Sequence, residues 1–241
     1  MRILAHRGAS GYAPENTQAA FELACSMGAA VIETDVRLTR DGVAVLIHDQ
    51  RVDRTTSGSG EVAELDWAQI ARLDAGSWFG SAYAGQPVPR LDAFLERYGQ
   101  RVGLCIEVKT EAALPAVVDS VRQMGLSRFV SLEFTSFEWD VVTKLRETFA
   151  SVPVGLLVRR NDTTIEVARR AVGAGLEMIG PSAANVTREF VEAAHELGMQ
   201  VRTWGVRSRD DFTHVIACGA DGTTLNWPDW TAQLDVQGIR D

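Results

Sequence analysis

The sequence predicts an α/β fold, a (β/α)8 barrel, on three observations. Short runs rich in Val, Ile and Leu alternate with longer helix-period segments. The runs are apolar on both parities, as parallel strands covered on both faces must be. Most helix-to-strand junctions carry glycine (Gly28, Gly125, Gly175, Gly198 and Gly219), which suits the left-handed residue that ends a helix. A length of 241 residues accommodates one such barrel. The doubly wound open sheet is the runner-up. It usually carries GxGxxG after its first strand, and HRGASGYAPEN is a different string.

In chain order, Arg2–His6 reads as the first strand and Thr17–Met27 as a helix burying Phe21, Leu23 and Ala24. Val31–Val36 and Val43–His48 flank Asp41-Gly42, a hairpin turn signal, so they form one strand with a return strand. From Asp49 to Pro89 the chain is rich in Gly, Ser and Thr, with Trp67, Trp78, Phe79 and Tyr83. That is too long for a plain loop, and we expect a small cap inserted at about 49–89 into a single domain spanning 1–241. The alternative is a surface excursion whose aromatics pack on outer helices. Further strands are expected at Val102–Val108, Phe129–Phe134, Pro153–Val158, Glu177–Gly180, Gln200–Val206 and Asp221–Leu225. Further helices are expected at Ala112–Met124, Phe137–Thr148, Thr187–Leu197 and Arg209–Cys218.

Composition narrows the partners. The formal net charge is −8 and no Lys/Arg run occurs, which argues against nucleic acid and against electrostatic attachment to anionic lipid. An anionic small substrate needs only local positive charge. Cys25, Cys105 and Cys218 are widely spaced without CxxC, so we expect buried thiols in a reducing compartment. The N-terminal apolar stretch is too short for a signal peptide, and no run approaches the roughly 20 residues of a membrane span. A soluble, cytoplasmic protein without stable membrane attachment is expected.

In VIETDVRL, strand period two puts Glu33 and Asp35 on one side, near a buried strand end. Two like charges there need a positive neutraliser, either a divalent cation held by oxygen or a neighbouring Arg or Lys. Glu107 and Lys109 repeat the pattern in CIEVKT. Such a carboxylate–lysine cluster with a metal can bind a phosphoryl oxygen, although a plain Glu–Lys pair has the same spacing. Of four histidines, His6 and His48 end strands that face one mouth in the barrel and suit acid/base work. His195 and His214 fall in helix-period segments as surface or packing residues.

The ordered motifs HRG, PENT, ExD, TxDG, HD and RTTxGxG, followed by IEVK, TSF, TWGV and GADGTTLNWP, resemble the glycerophosphodiester phosphodiesterase family across nearly the whole chain. The resemblance implies a TIM barrel with a small insertion after the second strand. It implies catalytic His6 and His48, a divalent cation (Mg²⁺ or Ca²⁺, with Mn²⁺ possible) on Glu33, Asp35 and Glu107, and Glu15 near or on that metal. It implies Arg7 on the phosphate, Lys109 supporting the phosphate and the metal carboxylates, and Phe137 and Trp204 at the glycerol end. The implied substrate is a small glycerophosphodiester, cleaved to sn-glycerol 3-phosphate and an alcohol. Attack comes from water or from the substrate's own glycerol hydroxyl. Two stretches depart from the family pattern: Leu225-Asn226-Trp227-Pro228 stands for Thr-Asp-x-Pro, with Asn226 for the aspartate, and Trp204-Gly205-Val206-Arg207 stands for Trp-Thr-Val-Asn, with Arg207 for the asparagine. Arg207 either adds a cation for phosphate or caps the next helix. The alternative activities are a lysophospholipase D or phosphoinositide-type phosphodiesterase, which wants an apolar rim such as Trp78, Phe79 and Tyr83, and a non-catalytic phosphometabolite-binding barrel. Oligomeric state is not visible in the sequence.

Overall fold

Strand β1 (Arg2–His6) pairs in parallel with both β2 (Val31–Leu38) and β9 (Gly222–Leu225), and that double pairing closes the sheet on itself. Between them run β4 (Gly103–Val108), β5 (Leu132–Ser136), β6 (Val154–Leu157), β7 (Met178–Gly180) and β8 (Gln200–Thr203), each parallel to its neighbours. Eight strands thus make the barrel wall in this computed structural model, which describes residues 1–231. The last ten residues of the expected 1–241 domain lie outside the described residues. The ninth strand, β3 (Ala44–Leu46), returns antiparallel along β2 after the Asp41-Gly42 turn, where Gly42 takes φ 82°.

Helices α1 (Gln18–Ser26), α3 (Leu91–Tyr98), α4 (Leu114–Met124), α5 (Trp139–Thr148), α6 (Ile165–Gly173), α7 (Arg188–Glu196) and α8 (Arg209–Cys218) alternate with the barrel strands. Thr17, Thr164, Thr187 and Ser208 cap α1, α6, α7 and α8 by accepting a backbone N–H from the first turn. Two helices lack a counterpart in the sequence reading. In α6 the buried residues are only Ala168 and Ala171, too small to mark an apolar stripe. In α3 the stripe Leu91, Phe94, Leu95 and Tyr98 is plain, but it follows directly on the irregular segment.

Most of the core lies between strands and helices, with the Phe21, Phe94 and Tyr98 rings in mutual contact. Inside the barrel the apolar layer is thin: Leu4, Val31 and Cys105. Much of the remaining interior is polar, which suits a barrel with chemistry at one end.

Segment 49–89 carries one short α-helix, α2 (Trp67–Ile70), two single 3-10 turns at Val62–Glu64 and Ser81–Tyr83, and a separate apolar cluster. Val45 of the return strand and Ile47 just past its end meet Val52, Val62, Ile70, Ala75 and Val88 there. Phe79 meets Trp78 on one side and Tyr83 on the other, edge to face at 5.6 Å in each pair, and the Tyr83 hydroxyl donates to the Tyr12 carbonyl at 2.8 Å. The segment is therefore held by its own core and by the loop after β1.

That loop begins with a tight backbone. Gly8 takes φ 81°, and a Cβ there would lie 2.6 Å from the Ala20 carbonyl carbon at the start of α1. Gly8→Ala should therefore cost about 2–5 kcal/mol from left-handed strain plus overpacking. That lowers Tm by roughly 5–15 °C for a domain of this size. An unchanged melting curve would contradict this reading of the loop.

Candidate active site

The strand register assembles the carboxylates. His6 is in register with Glu33 on β2, and Asp35 is in register with Glu107 on β4. One oxygen from each of Glu33, Asp35 and Glu107 lies within 4.8 Å of the others, and all three side chains are buried. Charges at that distance repel by roughly 3–4 kcal/mol per pair at an effective dielectric near 20. The cluster therefore demands cations.

The chain supplies two. Lys109 Nζ stands 2.5 Å from Glu107 Oε1 and 2.7 Å from Asp35 Oδ1, and Arg7 Nε stands 3.2 Å from Asp35 Oδ2. Burial works against the charges of Lys109 and Arg7, but the carboxylates outweigh it and raise both pKa values. Burial likewise opposes the Asp35 charge, yet Lys109 and Arg7 hold it well below the usual range. Glu33 and Glu107 go the other way. Burial, reinforced by the neighbouring carboxylates, pushes both up, Glu33 well above its ordinary value. Three carboxylates against two cations leave one negative charge uncompensated.

A divalent cation fits this deficit. Asp35 Oδ1, fully buried, has Lys109 close by but no aligned hydrogen bond. The donor set is all carboxylate oxygen, which suits Mg²⁺, Ca²⁺ or Mn²⁺. Glu33, Asp35 and Glu107 are the residues that would hold it.

The loop after β1 is locked around the cluster. Arg7 and Asn16 both take left-handed φ, 56° and 55°, a costly backbone for non-glycine residues. The bonds made there account for it. Arg7 N donates to Glu33 Oε2 at 3.0 Å, Asn16 N to the Arg7 carbonyl at 3.0 Å, and Asn16 Nδ2 to Asp35 Oδ2 at 2.8 Å. Thr34 closes the set by donating to Asn16 Oδ1 at 2.7 Å. Glu15 accepts from Arg7 Nη1 at 2.7 Å and also from Arg54. Glu15 thus reaches the cluster through Arg7.

The two histidines have unlike partners. His6 Nδ1 lies 2.6 Å from Asn226 Oδ1; an amide oxygen only accepts, so Nδ1 carries the proton and Nε2 keeps its lone pair. Burial, then the Arg7 charge, pushes the His6 pKa down to about 3. His48 Nδ1 lies 2.6 Å from Asp49 Oδ1, a carboxylate that stabilises the ring when it carries charge. Burial still lowers His48 overall. Arg37 Nε fixes the His48 carbonyl at 2.8 Å, which brings the end of the return strand to the barrel mouth.

A cavity of about 340 Å³ opens over the cluster. His6, Arg7, Glu33, His48, Glu107, Phe137 and Trp204 all line it, so most of the residues singled out in the sequence meet here. Phe137 and Trp204 stand edge to face at 5.3 Å on one wall, and Trp204 Nε1 donates to the carbonyls of Val158 and Gly180. Asn226 and the exposed Arg207 also line the wall. Ser208, not the Arg207 side chain, caps α8. On the floor, Arg202 donates to Glu133 at 2.5 Å and Arg2 joins from below at 3.0 Å. His195 pairs with Asp221 on the surface and His214 packs on the Val186 carbonyl, as expected of both. Cys105 and Cys218 are buried, but Cys25 is only half-buried, because α1 leaves it at the edge of its packed face. Asp49, Arg54 and Arg202 are absent from the residues named as candidates. Asp49 and Arg54 stood in the quoted HD and RTTxGxG motifs. Arg202 gave no signal, since an arginine in a strand reads as outward-facing.

Comparison with known proteins places this geometry. The family model described as the glycerophosphoryl diester phosphodiesterase family matches residues 6–230. A glycerophosphodiester phosphodiesterase of Caldanaerobacter subterraneus is 32% identical over 242 residues, covering 98% of each chain. The crystal structure of a glycerophosphodiester phosphodiesterase from Agrobacterium tumefaciens is 31% identical with a TM-score of 0.81, covering 97% of this chain and 99% of that one. An Oleispira antarctica phosphodiesterase, solved with the product sn-glycerol-3-phosphate, has a TM-score of 0.88 at 26% identity, covering 98% and 97%.

The charge deficit has a direct consequence for stability. A carboxyl raised in the folded state keeps a proton that the unfolded chain releases above the ordinary glutamate value of 4.5, so the contributions of Glu33 and Glu107 fall as pH rises beyond it. Without metal, Glu33→Gln should therefore melt above the wild type, by more at pH 8 than at pH 5. A divalent cation at a hundred times its Kd should stabilise the wild type by about 2.7 kcal/mol, and Glu33→Gln much less. Melting curves indifferent both to metal and to this substitution would contradict the assignment.

Proposed function

We infer the chemistry from one premise: this chain belongs to the glycerophosphoryl diester phosphodiesterase family, and it is a phosphoric diester hydrolase that acts on glycerophosphodiesters. The observation that carries the finer reading is the cluster of Glu33, Asp35 and Glu107 with Arg7 and Lys109, opening on one cavity with His6 and His48. A bound dication would polarise the phosphodiester and offset the charge that develops on its oxygens.

The chain's own residues do the rest. Arg7, pinned by Glu15 and Asp35, presents a fixed cation to the phosphate. Lys109 keeps Asp35 ionised and holds both Asp35 and Glu107 in place. His6, neutral with its Nε2 lone pair free, takes the proton of the nucleophile. A phosphate drawn against Arg7 relieves the repulsion that this cation exerts on His6 as the ring becomes charged. His48, backed by Asp49, holds the proton that the leaving alcohol needs. Phe137 and Trp204 offer the apolar wall for the glycerol carbons. The products are sn-glycerol 3-phosphate and an alcohol, a reading supported by the product held in the Oleispira antarctica neighbour.

Small water-soluble diesters fit better than membrane lipids. A lipid-facing rim needs an apolar face, and of the insert aromatics Trp78 is exposed while Phe79 and Tyr83 are half-buried in their own contacts. No helix among the described residues is long and apolar enough to cross a membrane. The unbridged Cys25, Cys105 and Cys218 support a cytoplasmic setting, and segment 49–89 is read as the cap of a single domain.

Release of sn-glycerol 3-phosphate from glycerophosphocholine should be abolished by EDTA and restored by Mg²⁺, Ca²⁺ or Mn²⁺. No turnover of any glycerophosphodiester with all three ions supplied would overturn the reading. The division of labour has its own test. His48→Ala should slow an alkyl diester by about 10³-fold, within the usual range for a lost acid, and a nitrophenyl diester far less, because nitrophenolate leaves unaided. Equal losses on both would reverse the roles of the histidines.

A further inference from the structure

We propose that Arg54, contributed by the inserted segment, is a positioning residue that sets the geometry of both His48 and Arg7; this rests on the reaction proposed above. The guanidinium bridges two carboxylates from different loops. Nε and Nη2 reach Asp49 Oδ2 at 2.5 Å and Oδ1 at 3.1 Å, while Nη1 and Nη2 reach Glu15 Oε2 and Oε1, both at 2.8 Å. The shared oxygens matter most. Asp49 Oδ1 also meets His48 Nδ1 at 2.6 Å, and Glu15 Oε1 also accepts from Arg7 Nη1 at 2.7 Å. One nitrogen, Arg54 Nη2, therefore touches the oxygen that orients the histidine and the oxygen that orients the phosphate-binding arginine.

Each link has a physical requirement behind it. A histidine that gives up a proton at Nε2 must keep its other proton on Nδ1, and a carboxylate opposite Nδ1 enforces that tautomer only while it is itself held. The Asp49 side chain is 30% exposed, and Arg54 grips both of its oxygens. A planar guanidinium can satisfy two carboxylates bidentately; an ammonium offers a point charge without the fork. This gives the excursion after the return strand a reason to fold against the barrel mouth: it delivers the residue that couples the acid to the phosphate clamp. Arg54 lines no part of the reaction cavity, so it acts through Asp49 and Glu15 and not on substrate.

Two readouts test this, one of them independent of turnover. In ¹⁵N–¹H correlation spectra of the histidines, wild-type His48 should be wholly the Nδ1–H tautomer, and Arg54→Gln should admit a substantial Nε2–H fraction. In kinetics, Arg54→Gln should lower kcat for an alkyl glycerophosphodiester by about 10²-fold, the usual cost of a misplaced catalytic group, with KM moving less than kcat. Arg54→Lys should recover melting temperature but less than a tenth of the lost kcat. Combining Arg54→Gln with Asp49→Asn should cost far less than the product of the single losses, because both break one chain of contacts. Wild-type spectra and kcat in Arg54→Gln, or multiplicative losses in the double variant, would overturn the proposal; a lowered melting temperature alone counts against it. A wild type that turns over no diester, yet shows the tautomer shift on substitution, would overturn the proposed reaction and leave the role of Arg54 standing.

Discussion

Three buried carboxylates within 4.8 Å of one another are the constraint on which the mouth of this barrel depends. Their repulsion explains why Lys109 is drawn down onto Asp35 Oδ1 and Glu107, and why Arg7 and Asn16 accept left-handed backbone to reach the other Asp35 oxygen and Glu33. Gly8 then follows, since the loop packs its backbone there directly against Ala20 of α1, with no room for a side chain. The cost in strain and desolvation is offset only if the cluster does something. Two cations leave it one charge short, a deficit that a bound dication would turn into the positive centre that an anionic diester requires.

The formal charge of −8 on the whole chain and the local chemistry point in opposite directions, and distance decides between them. Exposed carboxylates are screened within about 10 Å at ordinary ionic strength. The buried groups at the barrel mouth act on one another at contact range. The same locality separates the two histidines. His6 ends β1 and His48 lies two residues past β3 on the same cavity, yet an amide opposes one ring and a carboxylate the other. The asparagine at position 226 keeps the tautomer of His6 without adding negative charge beside it.

The barrel itself was legible because strand parity, hairpin signal and junction glycines all report local geometry. Helix α6 escaped because a helix that buries only alanines leaves no periodic trace. Within the site, the pairing of Glu33 with Asp35 and of Glu107 with Lys109 followed from strand period two, and the register of β2 against β4 brought the pairs together. The links that run between distant loops were not derivable in the same way. No spacing rule connects Glu15 to Arg54 across 39 residues, or His6 to Asn226 across 220. Those contacts depend on closure of the barrel and on docking of the insert, which are tertiary facts. The buried Arg202–Glu133 pair belongs with them, since an inward arginine is tolerated only where its partner already waits.

Everything at the barrel mouth turns on whether Glu33, Asp35 and Glu107 hold a divalent cation. Crystals grown with Mn²⁺ and measured for anomalous scattering at the manganese edge test it most directly. One strong peak is expected between these three carboxylates, lost in Asp35→Asn. A clean map at that position in the wild type, or a peak bound by other residues at the barrel mouth, would contradict it.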